Sequence, residues 1–73
     1  MKLEQGAFYN AELKLNWIEQ TASNSTVANK FKDVGFTDVT CTGSKGFRSV
    51  AGRWPGTTQE VELPKQVVKV IKL

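Results

Sequence analysis

The sequence predicts a small α+β fold: a single-layer, antiparallel-rich sheet packed on one or two helices, in the order β-α-β-β-(β)-α. Three observations carry this. Residues 7–17 alternate apolar and polar. Residues 24–34 place apolar side chains at helical spacing between a capping run and Gly35. Residues 36–54 are two β-rich runs joined by a short glycine-containing turn.

In the first element the odd positions are Ala7, Tyr9, Ala11, Leu13, Leu15 and Trp17, with Asn10, Glu12, Lys14 and Asn16 between them. That period of two puts one face on a core and the other in water, which is a strand. Phe8 and Ile18 interrupt the polar face at its two ends. Thr21 to Thr26 is rich in capping residues, and Ser23, Asn24 or Ser25 can accept from the first free N–H groups of a helix. Val27, Phe31 and Val34 follow at i, i+4 and i+7, with Ala28 beside them, and Gly35 sits where a left-handed residue ends a helix. The helix therefore spans residues 24–34.

Phe36 to Thr42 and Phe47 to Trp54 form a hairpin around the Gly43-Ser44-Lys45-Gly46 turn, and Pro55-Gly56 stops it. Thr57 to Leu63 is read as a short edge strand around Val61 and Leu63. In the last ten residues, Lys65, Lys69 and Lys72 recur at helical spacing opposite Val67, Val70 and Ile71, after a Pro64 suited to a first helical turn. The β-branched residues Val67, Val68, Val70 and Ile71 argue for a strand. The lysine spacing is taken to decide, and a helix is expected.

With 73 residues the chain is one domain. Domains of this size bury only about 60% of their unfolded surface and usually need disulfides, metals or oligomerisation. One cysteine, no histidine and scattered carboxylates offer neither a disulfide nor a metal cluster. Packing or self-association remains, so a homodimer or another protein partner is expected. No cofactor is expected. No run approaches the ~20 apolar residues of a membrane helix. The N-terminus has no apolar signal core. The expected location is cytoplasmic, with no membrane contact. The net charge of +3 lies wholly in residues 34–73, where six basic residues face three acidic ones; residues 1–33 balance four against four. This is a mild bias, short of the clustered footprint of a dedicated DNA binder.

The usual catalytic chemistries find little support. Cys41 lies in an alternating run with Thr37 and Val39 and has no histidine to activate it, so it reads as a small core residue. Glu60 and Glu62 share a strand face but read as its solvated side. Gly43 to Gly46 is too short for a phosphate-binding loop and joins two strands. Asn24-Ser25-Thr26 matches a glycosylation acceptor, yet here it reads as capping chemistry.

Surfaces are more informative. On the hairpin's second strand, Arg48, Val50, Gly52 and Trp54 share the more core-like face. Phe47, Ser49, Ala51 and Arg53 share the other. The open sheet face would then gather Phe8, Lys14, Phe47 and Arg53. Aromatic rings among cations suit stacking on bases or sugars, or the seam of a dimer. Trp54, before a Pro-Gly turn, joins these four as a binding candidate because such an anchored ring is a typical hot spot; it would equally plug the core.

Gln5-Gly6-Ala7-Phe8, Val27-Ala28 with Phe31 and Val34-Gly35-Phe36, and Gly46-Phe47-Arg48 together resemble the SPOR family in topology. Those small peptidoglycan-binding domains have a βαββ core. The likeness covers about half the chain. This first strand runs roughly ten residues longer than the family's strand, and the third reads Phe-Arg-Ser-Val. The resemblance implies a sheet face that binds glycan strands. The expected function is a non-catalytic interaction module, self-associating or binding another protein. Binding single-stranded nucleic acid or glycan through the open face is the alternative.

Overall fold

A computed structural model describes residues 1–73. Its elements are β1 (Lys2–Leu3), β2 (Phe8–Lys14), a 3₁₀ turn (Glu19–Thr21), α1 (Asn24–Val34), β3 (Thr37–Ser44), β4 (Phe47–Arg53), β5 (Gln59–Glu60) and β6 (Val67–Lys72). The main sheet has the order β3-β4-β2-β6, with every neighbouring pair antiparallel. The fold is the expected small α+β arrangement, with one α-helix.

Pleating decides the two faces of the sheet. Tyr9, Ala11 and Leu13 of β2 pair with Gly52, Val50 and Arg48 of β4, and all six are buried. Helix α1 lies over this side. Ser23 caps it, its hydroxyl accepting from the Thr26 amide at 3.1 Å, and Gly35 ends it at φ 127°. Val27, Ala28 and Phe31 form its buried stripe. Burying Val27 and Phe31 is worth about 1.5–3 kcal/mol each. The antiparallel ribbon of β1 and β5 adds the fully buried Leu3 to the same core. Val61 and Leu63 pack against it from the segment after β5.

Three departures from expectation matter. The first strand ends at Lys14, not Trp17. The Asn16 side chain accepts from the amides of Ile18 and Glu19, while Glu19 Oε1 accepts from the Asn16 amide. This reciprocal cap turns the chain into the 3₁₀ turn. Trp17, read as core-facing, is 79% exposed.

Residues 67–72 are a strand, not a helix. β6 pairs with β2, and Val70 lies opposite Ala11 on the core side. Here β-branching outweighs lysine spacing, because the strand satisfies the free edge of β2.

Thr37 and Val39 do not share a face. Asp38 adopts φ 53° at a register shift between Thr37 and Thr40. This bulge puts Thr37 beside Arg53 on the open side, while Cys41 pairs with Val50 on the core side. No helix is long and apolar enough to cross a membrane.

Candidate functional site

The sheet face opposite α1 is uncovered. Cross-strand pairing arranges it in rows. Phe8 lies beside Arg53 and Thr37, Asn10 beside Ala51 and Thr40, Glu12 beside Ser49 and Thr42, and Lys14 beside Phe47 and Ser44. From β6, Ile71 joins the Asn10 row and Lys69 the Glu12 row. The Leu73 amide donates to the Phe8 carbonyl at 2.8 Å, which extends the first row by one residue.

Four of the five expected site residues thus share this face. Phe8 and Phe47 are 44% and 74% exposed and stand on the two central strands. Each neighbours a cation across the strand pair: Arg53 for Phe8, Lys14 for Phe47. Six residues separate Phe8 from Lys14, or about 20 Å at ~3.3 Å per residue. The rings therefore sit at opposite ends of the face. Between them lies a polar middle, where the Ser49 hydroxyl donates to Asn10 Oδ1 at 3.0 Å. Glu12, Lys14, Phe47, Ser49 and Val68 border a shallow basin of about 380 Å³ at the Phe47 end.

Trp54 does not belong to this set. Its backbone follows β4, but its ring points to the helix side and is buried. The indole N–H donates to the Thr57 carbonyl at 2.9 Å, and the ring meets Phe36 edge-on at 5.3 Å. A Cβ added at Gly35 would come within 3.1 Å of the same ring. Trp54 is the plug of the core and offers no ring to a surface partner, contrary to the expectation from sequence.

The face holds apolar residues beyond those expected. Val68, Ile71 and Leu73 are 65%, 43% and 69% exposed. They were missed because the C-terminal segment was read as a helix; its β-branched run was the available signal. Trp17 and Ile18 project from the turn after β2. On the helix side, a groove of about 350 Å³ runs between α1 and the approach to β6, floored by Leu13, Leu15, Val27 and Phe31. Gln66, which lines it, donates to Glu19 there.

The groups that could carry catalysis, Cys41, Glu60 and Glu62, lie away from this face. The Cys41 thiol faces α1 and donates to Asn24 Oδ1 at 3.3 Å. Burial pushes it up from its ordinary value, with the Arg48 guanidinium pulling the other way. Such a thiol is less ionised than a free one, the reverse of activation. Glu60 is paired with the N-terminal amino group at 3.1 Å on the exposed β1–β5 ribbon, and Glu62 is exposed beyond it.

In comparisons with known proteins, no family model, no curated protein and no solved structure matches this chain.

Proposed function

We propose that this chain is a non-catalytic interaction module that works through the open face of its sheet. The observation behind this reading is the pair of exposed rings, Phe8 and Phe47, held on the two central strands with a cation beside each. Small domains need their large rings in the core, and Tyr9, Phe31, Phe36 and Trp54 fill that role. Rings left on a rigid sheet retain little freedom to lose on contact, which favours binding. Val68, Ile71 and Leu73 extend the apolar area. Exposed apolar residues gathered at both ends of one sheet face favour an interaction surface. The thiol held above its ordinary value and the solvated carboxylates support a binding role over a catalytic one.

Single-stranded nucleic acid or glycan is the second reading. Lys14, Arg53 and Lys69 outnumber Glu12 on the face, which gives it a positive balance. Stacking on Phe8 and Phe47 would supply the contact. The separation of about 20 Å between the ends far exceeds the ~3.4 Å between stacked bases. The two rings would serve distant units of an extended strand, so this reading stands second.

The test is an amide-resolved NMR series with three arms: dilution of the protein alone, a single-stranded oligonucleotide, and peptidoglycan fragments. Shifts concentrated at Phe8, Lys14, Phe47 and Arg53 in any arm support the open face as the working surface. An unmoved face in all three arms removes the reading. Nucleic-acid shifts should fade steeply with added salt.

A further inference from the structure

We infer that the open face is built to receive a second copy of this chain, related by a two-fold axis that lies between the sheets and runs perpendicular to the strands. This rests on the open face being the working surface, and it commits that surface to one occupant.

The pattern of the face complements itself. Along β2 the outward residues are Phe8, Asn10, Glu12 and Lys14; along β4 they are Phe47, Ser49, Ala51 and Arg53. A two-fold axis midway between the Asn10 and Glu12 rows reverses each strand over its own copy. Phe8 then lies over Lys14 of the other copy, and Phe47 over Arg53. Each ring is covered by a cation, a favourable face-on contact that strengthens as water leaves. No cation faces a cation directly. Leu73 comes over the exposed Val68 of the second copy, so the apolar ends of β6 cover each other.

The centre is complementary as well. Asn10 lies over Glu12 of the second copy, and the axis makes this contact twice. Asn10 Oδ1 is occupied by the Ser49 hydroxyl, which leaves its amide N–H groups free to donate. Glu12 has no cation within salt-bridge distance, so its carboxylate is free to accept. The two free hydrogen-bonding capacities match across the axis.

Other arrangements of two copies leave these features unmet. An axis parallel to the strands places β6 over β3, setting Leu73 and Ile71 against Thr37 and Thr40. An orthogonal crossing covers the polar middle and leaves both rings in water. Aligned packing about 10 Å apart is also the common mode for two sheets. Four strands at ~4.8 Å and six residues at ~3.3 Å give a face of about 400 Å² per copy in plan. Side-chain relief raises the total toward the ~1,000 Å² of a specific interface. The dimer should therefore be a weak one, in the micromolar range.

Sedimentation velocity on the full chain, in reductant and across a concentration series, tests this. A reversible shift to twice the monomer mass is expected. Phe47→Ser should raise the dissociation constant at least tenfold. Asn10→Asp should do the same, because two carboxylates then meet twice across the axis. Asn10→Asp combined with Glu12→Gln should restore wild-type association to within threefold, since donor and acceptor merely change places. Circular dichroism of each variant checks that these changes, two at exposed positions and one at the half-buried Asn10, leave the fold intact.

A dimer indifferent to Phe47→Ser and Asn10→Asp, or one weakened by Asn10→Asp that Glu12→Gln fails to restore, would overturn the inference. So would a monomer at every concentration. In that case oligonucleotide or glycan shifts at Phe8 and Phe47 would keep the open face as a binding surface with another occupant, and a silent face would end both readings.

Discussion

Arg48 shows how much one side chain holds together. It is 6% exposed and has no carboxylate within salt-bridge range. Burying a cation without strong partners is costly. Here Nε donates to the Lys45 carbonyl, Nη1 to Asn24 Oδ1 and Nη2 to the Gln20 carbonyl, at 3.0, 3.0 and 3.1 Å. The guanidinium thus joins the hairpin turn, the start of α1 and the 3₁₀ turn. Arg48→Ala should lower stability by about 2–4 kcal/mol, measured by urea denaturation. Arg48→Lys should cost nearly as much, because an ammonium cannot reproduce the planar fork. The sequence placed Arg48 correctly on the face of Val50 and Trp54. Its partners were not legible, since Gln20, Asn24 and Lys45 converge only once the helix has docked. Trp54 was ambiguous for a related reason: a ring before Pro-Gly serves a core or a surface equally well until the side of the strand is known.

At the scale of elements, β6 is the instructive case. Lysines at spacings of four and three satisfy a helix, but they also fit an exposed edge strand, where charged side chains discourage further pairing. The pairing with β2 decides, and a partner strand is invisible to local periodicity. The two sides of β6 therefore differ sharply. Val70 packs on the core, whereas Ile71 is exposed on the open face. Val70→Asp should unfold the domain or cost more than about 3 kcal/mol, while Ile71→Asp should fall within about 1 kcal/mol of wild type in a monomer-concentration melt. Equal effects would contradict this strand. Helix α1 was legible to the residue because its cap, stripe and terminal glycine all agree. The end of β2 was not, because alternation continues formally through Trp17. The Asn16–Glu19 cap that breaks it is a side-chain device with no periodic signature.

Across the whole molecule, charge acts as a set of light fasteners. Lys72 pairs with Glu4, which ties the segment after β1 to the last strand. The Lys72 hydrogen bond and charge hold Glu4 below the ordinary 4.5, while the same contact raises Lys72 above 10.5. Glu19 is likewise held low, first by the Asn16 backbone N–H and then by Gln66. For both carboxylates the unfolded chain binds protons more readily, so their contribution is complete above the ordinary value. It drains away as pH falls through the lowered one. Lys72 contributes below 10.5 and loses its part above it. The urea midpoint should fall as pH drops below the ordinary 4.5. Glu4→Gln with Glu19→Gln should flatten that fall. The effect should be small, because these groups lie at the surface and salt screens them. The open face was legible in outline, since Phe8 and Phe47 alternate against buried neighbours. The rows of residues across it were not, because they depend on the β2–β4 and β2–β6 registers together.

Cys41 carries a consequence for kinetics. Its sulfur lies under the first turn of α1, hydrogen-bonded to Asn24, and it is the only thiol in the chain. The thiol is only partly buried, so an alkylating reagent reaches it in the folded chain and reacts faster whenever that turn lifts. The labelling rate, set against that of a free thiol, therefore reads how far the first turn of α1 shields the sulfur, and any rise in it reports that turn loosening from the sheet.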